Sequence, residues 1–194
     1  MDKKVDEKII EFINEAKKRE EREDITAGPI KIGNRYYEFE NMEFFNNELK
    51  IFIPKDFVDM SMEDRKFKYP SESRPEIIKC NDDGSICITL NVIDSPLSED
   101  KVEELKNGMK MIIRKTNPAN VFYEDGVIEV NSKNIGFYEF KSSAIDADLY
   151  NLMFFAEFMG KTLMGTFSCK YEVYKEWRDI AYKMICTLKV IKEE

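Results

Sequence analysis

The strongest hydrophobic pattern in the chain lies towards its C-terminal end, in residues 149–188. Residues 149–158 form the most apolar run of the sequence, residues 159–161 are typical of a turn, and residues 162–169 form a second apolar segment. The residues that follow place apolar side chains at helical spacing around Trp177, the only tryptophan. This pattern predicts a hydrophobic β-hairpin followed at once by a helix that packs on one of its faces.

The first strand of this hairpin carries apolar side chains at successive positions instead of alternate ones. Residues 152–155 (Leu-Met-Phe-Phe) therefore occupy both faces of the predicted strand. A strand of this kind is buried on both sides in a folded protein. We expect the closing helix to cover one face, and a helix predicted to begin after Ser98 and to run to about residue 115 to cover the other.

Shorter periodic segments fill the rest of the main region. Apolar alternation predicts strands at 30–32, 36–39, 49–53, 76–80, 85–92, 121–123, 127–130 and 135–142. The buried stripe of the helix after Ser98 is predicted to be Val102, Leu105, Met109, Ile112 and Ile113. Residues 56–75 show little pattern and are predicted to form a long loop. The order of elements indicates an α+β fold, in which helices cover both faces of an antiparallel sheet (an αβα sandwich).

Residues 1–27 are predicted to form a separate segment, an extra N-terminal helix and a linker, ahead of a single α+β domain at 28–194. Ile9, Phe12 and Ile13 belong to an apolar stripe within a charged helix predicted at 3–23. An apolar stripe on a terminal helix needs another surface to bury it. We therefore treat these three residues as candidate partner-binding residues, with docking of the helix on its own domain as the alternative.

Composition favours one cytoplasmic domain without membrane or nucleic-acid partners. The 194 residues are 43% hydrophobic, enough for one sizeable core. The chain contains no apolar run of the roughly 18–20 residues that cross a bilayer, and its acidic N-terminal residues are unlike a secretory signal. The net charge is -8, and no stretch of Lys and Arg is free of interleaved acids. These features argue against binding to nucleic acid or to an anionic membrane.

The residue inventory predicts no catalytic set, no cofactor site and no metal site. The chain has no histidine, which excludes Ser-His-Asp and Cys-His catalysis. The four cysteines are expected to be reduced, mostly buried thiols, because no two of them form a Cys-x-x-Cys pair: Cys80, Cys87, Cys169 and Cys186. We therefore expect the protein not to be an enzyme.

Two short motifs suggest phosphate or calcium but are better explained as turns. Gly160, Lys161 and Thr162 resemble the end of a phosphate-binding loop, but the earlier glycine and the following helix are missing. Residues 81–85 (Asn-Asp-Asp-Gly-Ser) lack the later ligands of a calcium loop and contain an Asp-Gly hairpin signal.

The predicted loop at 56–75 holds two further candidate binding residues, Tyr69 and Arg74. Long loops carry function more often than short ones. Arg74 is interpreted either as an anchor for a carboxylate, a phosphate or a partner protein, or as an arginine that holds the loop together by donating to backbone carbonyls.

Several segments resemble the PsbP-like superfamily. Residues 49–57 (LKIFIPKDF) match its opening pattern of apolar strand, proline, acidic residue and aromatic residue, and residues 165–169 (GTFSC) form a late strand that leads to Glu176, Trp177 and an apolar helix. The superfamily includes the extrinsic photosystem II subunit P, a Ran-binding nuclear-transport protein and small bacterial proteins of unknown role. The resemblance covers about residues 30–191 and implies an αβα sandwich with mostly non-enzymatic, protein-binding roles. It implies no functional residue for this chain.

The leading hypothesis is a cytoplasmic, non-enzymatic protein-interaction domain of adaptor, chaperone-like or immunity type. One alternative is a small-ligand-binding domain or enzyme with a pocket near Arg74 and Tyr69. Another is a homo-oligomer assembled through the N-terminal helix.

Overall fold

The computed structural model describes residues 24–69, 74–144 and 147–191. The strands are β1 (Ile30–Ile32), β2 (Arg35–Tyr37), β3 (Phe39–Phe44), β4 (Leu49–Pro54), β5 (Val58–Asp59), β6 (Ile77–Cys80), β7 (Ile86–Pro96), β8 (Val121–Val130), β9 (Lys133–Ser143), β10 (Asp148–Phe158), β11 (Lys161–Lys170) and β12 (Lys189–Val190). The α-helices are α1 (Met62–Lys68), α2 (Val102–Thr116) and α3 (Tyr174–Ile185). Short 3-10 helices at Glu99–Lys101 and Tyr171–Val173 lead into α2 and α3.

Seven strands form the central antiparallel sheet in the order β5-β6-β7-β11-β10-β9-β8. The predicted hairpin is β10–β11, in the middle of this sheet, and its turn uses left-handed backbone at Met159 and Gly160. Strand β11 begins at Lys161, so the Gly-Lys-Thr segment is a turn and a strand start. Two smaller sheets, β12-β4-β3 and β1-β2, complete the fold.

The main core lies on the face of the sheet that α3 and the smaller sheets cover. Trp177 of α3 stacks on Phe167 of β11 at 5.8 Å between ring centroids and meets the Tyr37 ring edge-on at 5.0 Å. The largest fully buried side chains of this core include Trp177, Tyr150, Phe57, Phe154, Phe167, Leu49, Ile51, Ile53 and Ile88. The predicted packing of the closing helix on the hairpin is confirmed.

Helix α2 covers the other face of the hairpin, as predicted from the double-sided strand. A second cluster contains the buried residues Tyr138, Phe140 and Phe155, and partly buried side chains of α2 pack against it: Leu105, Met109 and Ile113. The prediction of Ile112 in the buried stripe is wrong, since its side chain is 52% exposed. Lys106 is buried instead, and its ammonium group donates to Asp125 of β8 at 2.7 Å.

The predicted loop at 56–75 is wrong in its described part, which contains strand β5 and helix α1. Ser61 caps this helix by accepting a hydrogen bond from the Asp64 N–H at 3.1 Å. Its first turn is acidic and its last turn is basic, in the favourable sense of the helix dipole. None of its seven residues is buried. The helix therefore has no hydrophobic periodicity by which the sequence would reveal it.

Residues 121–130 form one strand, β8, where the sequence predicted two strands and a turn. The register shifts between Phe122 and Asp125, which marks a β-bulge. The bulge turns the Asp125 carboxylate towards Lys106 and Lys110 of α2. Strands β3 and β12 extend the small sheet beyond the predicted elements.

The predicted N-terminal helix, with Ile9, Phe12 and Ile13, lies outside the described residues. Ile25, three residues before the predicted start of the main domain, is buried in the main core. The division at residue 27 stays a prediction.

Replacing Gly165 with alanine is expected to lower the free energy of unfolding by about 1–3 kcal/mol, because the new methyl group would overlap the ring of Phe154, its cross-strand neighbour. Gly126→Ala is the matched control, since a Cβ there meets the Phe137 ring at an ordinary 3.4 Å. Chemical denaturation of both variants measures the difference. Adding Phe154→Leu to Gly165→Ala is expected to recover part of the loss. Equal destabilisation by the two glycine variants would contradict this packing.

Asp125→Asn is expected to destabilise the protein at neutral pH by about 1.5–3 kcal/mol, because it leaves the buried Lys106 ammonium without a carboxylate. Hydrogen bonds from Lys106 and Lys110 lower the pKa of Asp125. The stabilisation is therefore present above the ordinary aspartate pKa of about 3.9 and is lost as pH falls through the lower folded-state pKa. Chemical denaturation of wild type and variant across this pH range should show the difference in their free energies of unfolding disappearing in acid. A difference that is independent of pH would exclude this ion pair as its source.

Candidate functional site

The candidate site consists of helix α1, its flanking residues and the β6–β7 hairpin, at the opposite end of the sheet from β8. Two cations of α1 attach the helix to this hairpin. The Arg65 guanidinium donates to the backbone carbonyl of Glu76 at 3.1 Å, and the Lys68 ammonium donates to that of Gly84 at 2.7 Å. The helix is thus held at the strand end and at the hairpin turn by hydrogen bonds instead of buried apolar side chains.

The two candidate residues Tyr69 and Arg74 lie next to each other. The Arg74 Nε–H donates to the Tyr69 carbonyl at 2.6 Å, so this arginine holds backbone, as the second interpretation of the sequence had it. The Tyr69 side chain packs against a small buried cluster of Met60, Ile78, Cys80 and Cys87. Burial raises the pKa of Tyr69, which keeps its hydroxyl protonated. Both residues contribute to the structure of this segment.

Beneath Lys68 and Tyr69, two cysteines face each other across the β6–β7 hairpin. Cys80 and Cys87 are cross-strand partners, and both are free and buried. The Lys68 ammonium lies 3.2 Å from the Cys87 sulfur. Sequence reasoning missed this pair because it looked for Cys-x-x-Cys. Counting outward from the predicted Asp-Gly turn would have placed position 80 opposite position 87.

The two thiols differ in acidity because each one affects the ionisation of the other and Lys68 lies beside Cys87. The interaction with Cys80 and the charge of Lys68 together lower the pKa of Cys87 to about 7, against the effects of burial and of nearby Asp83. The interaction with Cys87 and burial raise the pKa of Cys80, although Lys68 and Arg65 oppose the shift. Cys87 therefore ionises more readily than an ordinary cysteine, and Cys80 ionises less readily.

The solvent side of the same segment exposes three large apolar side chains. Phe67 is 91% exposed, Met62 is 67% exposed and Val58 is 55% exposed. We call these three residues the α1 surface. The last turn of α1 adds basic residues: Arg65, Lys66 and Lys68.

A second polar and aromatic cluster, at the other end of the sheet, was not predicted from the sequence. The Tyr171 and Tyr174 rings stack at 4.5 Å, and the Tyr123 and Tyr171 hydroxyls lie 2.8 Å apart. The Arg178 Nε–H donates to the buried Glu139 carboxylate at 2.8 Å.

Burial dominates the electrostatics of this second cluster. It raises the pKa of Glu139 against the opposing effect of Arg178. The Tyr150 hydroxyl faces the same carboxyl group but does not complete a hydrogen bond with it. Most of these polar groups have hydrogen-bond partners within the cluster, which joins α3 to β8, β9 and β10.

A shallow cleft of about 560 Å³ lies between the end of α3 and the β8–β9 turn. It is lined by Ile128, Glu129, Val130, Asn131, Tyr182 and Cys186. Tyr69 and Arg74 are not part of it. Burial raises the pKa of Cys186, so its thiol is protonated at neutral pH.

Two kinds of site are not formed by residues 24–69, 74–144 and 147–191. No group of three or more cysteine, aspartate or glutamate side chains in these ranges is placed to hold a metal ion. No helix in them is long and apolar enough to cross a membrane.

Lys68→Met is expected to raise the pKa of Cys87 from about 7 towards the ordinary cysteine value of about 8.5, because the nearest positive charge is removed. The pH dependence of the thiolate ultraviolet absorbance measures this pKa. Lys66→Met removes a neighbouring charge that has no contact with the thiols and serves as the control. An unchanged titration in Lys68→Met would show that the lysine does not stabilise the thiolate.

Comparison with known proteins places the fold. No family model and no curated protein sequence matches the chain. Solved structures do match. The solution structure of cyanobacterial PsbP (CyanoP) from Synechocystis sp. PCC 6803 has a TM-score of 0.58 and 8% sequence identity, and the match covers 82% of this chain and 96% of that one.

Two further structures have the same level of similarity. LpqN of Mycobacterium tuberculosis, described as involved in cell envelope biogenesis, has a TM-score of 0.51 and 10% identity, covering 83% of this chain and 95% of that one. A protein from Bacteroides thetaiotaomicron has a TM-score of 0.51 and 10% identity over 79% of this chain and 49% of that one. Identities this low show a shared fold and carry no activity over. The resemblance found in the sequence is confirmed at the level of architecture: the chain has a PsbP-like fold.

Proposed function

We propose that this chain is a non-enzymatic protein-interaction domain, of adaptor, chaperone-like or immunity type, and that it binds its partner through the α1 surface. The observation that carries this proposal is the exposure of Phe67, whose side chain is 91% accessible to solvent. Val58 and Met62 of the same segment add to the apolar area.

An exposed aromatic ring of this kind favours binding over a structural role. Burying a phenylalanine side chain is worth about 1.5–3 kcal/mol, and this contribution is not used within the described fold. Aromatic residues are enriched among the residues that dominate binding energy at protein interfaces. Helix α1 buries none of its residues, so its apolar side chains are not needed by the core.

The charges around Phe67 indicate the chemistry of the partner. The chain has a net charge of -8, whereas the last turn of α1 is basic. Arg65 and Lys68 donate to backbone carbonyls of the β6–β7 hairpin, and Lys66 is exposed beside Phe67. The proposed partner is therefore a protein with an apolar pocket for Phe67 and carboxylates at the rim that faces Lys66.

The other functions that the sequence suggests stay predictions. A ligand pocket at Tyr69 and Arg74 is not favoured, because Arg74 donates to the Tyr69 carbonyl and Tyr69 packs on the cysteine cluster. Assembly through the N-terminal helix concerns residues outside the described ranges. The cytoplasmic location also remains a prediction from the sequence.

Phe67→Ser is expected to reduce capture of the partner from an extract of the native host by tenfold or more, because an interface aromatic residue contributes about 2 kcal/mol or more. Its own stability should change by less than about 0.5 kcal/mol, since the ring is exposed. Met111→Ser is the matched control, an exposed apolar residue on α2. Quantitative mass spectrometry of the captured proteins compares the three baits. Equal capture by Phe67→Ser and wild type would contradict the proposal.

A further inference from the structure

We propose that Cys80 and Cys87 are a redox-active pair, which hydrogen peroxide oxidises to a cross-strand disulfide in the folded protein. Protein binding through the α1 surface makes no use of these buried thiols. Their placement, the lysine beside them and the light cover above them each support this role independently.

The strand register allows a disulfide without movement of the backbone. Asn81 and Ile86, the next pair towards the turn, are hydrogen-bonded, with the Asn81 N–H 3.1 Å from the Ile86 carbonyl oxygen. Hydrogen-bonded and non-hydrogen-bonded pairs alternate in antiparallel sheets, so Cys80 and Cys87 form a non-hydrogen-bonded pair. Such pairs have Cα atoms about 4.5 Å apart, within the range of about 4.4–6.8 Å that disulfides span. Both side chains lie on the same face of the sheet.

The surroundings select Cys87 as the attacking sulfur. The Lys68 ammonium lies 3.2 Å from it, and this lysine and the neighbouring Cys80 lower its pKa. A thiolate, and not a thiol, is the nucleophile in such reactions. The other two cysteines lack this activation, since burial raises the pKa of Cys169 to about 12 and also raises that of Cys186.

The cover above the pair is weakly held. In the resting structure both thiols are buried, with Lys68 against the Cys87 sulfur and Tyr69 packed on the cluster. Helix α1 buries no side chain and is attached mainly by exposed hydrogen bonds. Segments of this kind open locally at a free energy well below that of global unfolding. Such an opening admits hydrogen peroxide, a molecule little larger than water.

The reaction balances with one peroxide per pair. The Cys87 thiolate attacks a peroxide oxygen, the O–O bond breaks, and hydroxide leaves and takes a proton to become water. The sulfur is then a sulfenic acid, oxidised by two electrons. The Cys80 sulfur attacks it, the S–O bond breaks, and the oxygen leaves as a second water after taking the Cys80 proton. The products are the Cys80–Cys87 disulfide and two water molecules.

In the test, the reduced 194-residue chain is treated near neutral pH with a small molar excess of hydrogen peroxide. Remaining thiols are alkylated in denaturant, and the tryptic peptides are weighed. The peptide that contains both cysteines should become lighter by two hydrogen atoms, should escape alkylation and should recover after reduction with dithiothreitol. Cys80→Ser should stop the reaction at the Cys87 sulfenic acid, which dimedone traps.

Two lysine variants separate this chemistry from general oxidation. Lys68→Met should slow oxidation of the pair about tenfold or more near neutral pH, because less of Cys87 is thiolate, and Lys66→Met should leave the rate unchanged. The proposal is overturned if Cys80 and Cys87 remain fully alkylated while Cys186 is oxidised. It is also overturned if the pair oxidises at the same rate in Lys68→Met as in the wild type.

Discussion

The rest of the structure depends on the central hairpin β10–β11, which is buried on both faces. The side chains of its strands alternate between two clusters. Phe154 and Phe167 point to the core under α3, and Phe155 points to the cluster under α2. Gly165 leaves room for the ring of Phe154 directly across the hairpin. A sheet with such a centre has to be covered on both sides, and the PsbP-like arrangement of helices meets this requirement.

The face of the central sheet opposite α3 is covered very differently at its two ends. Helix α2 covers the side of β8, β9 and β10, where the buried ion pair of Lys106 and Asp125 adds to its apolar contacts. On the side of β5, β6 and β7 the cover is the short helix α1, with Tyr69 and Met60 at its flanks. The exposed aromatic residue Phe67 and the reactive cysteine pair both lie where the cover is lightest. Binding surfaces and reactive groups commonly occupy such low-stability segments.

The sequence predicted those elements that the core itself defines. Helix α3, with Trp177 at the centre of its stripe, and strands β6, β7, β9, β10 and β11 of the central sheet follow from apolar periodicity. Helix α1 was missed because it buries nothing and is specified by the Ser61 cap and the order of its charges. Ile112 was predicted to be buried and is exposed, whereas Lys106 is buried. A lysine stem can be buried when its ammonium group pairs with a carboxylate such as that of Asp125.

The sequence named two residues of the candidate site, and their role as binding residues stays a prediction. Tyr69 and Arg74 follow helix α1 in the chain, but Arg74 bonds to backbone and Tyr69 packs on the cluster that contains the two cysteines. The cysteine pair depends on strand register, which turn residues specify and which residue spacing alone does not reveal.

Native-state hydrogen exchange tests most directly the claim that α1 is a lightly held cover on a firmly held sheet. The amides of Arg65 and Tyr69, bonded within the α1 segment, should exchange through a local opening with little dependence on denaturant. The amides of β10 and β11 should exchange only through global unfolding. If the α1 amides exchanged with the same free energy and the same denaturant dependence as those of the central hairpin, the claim would be contradicted.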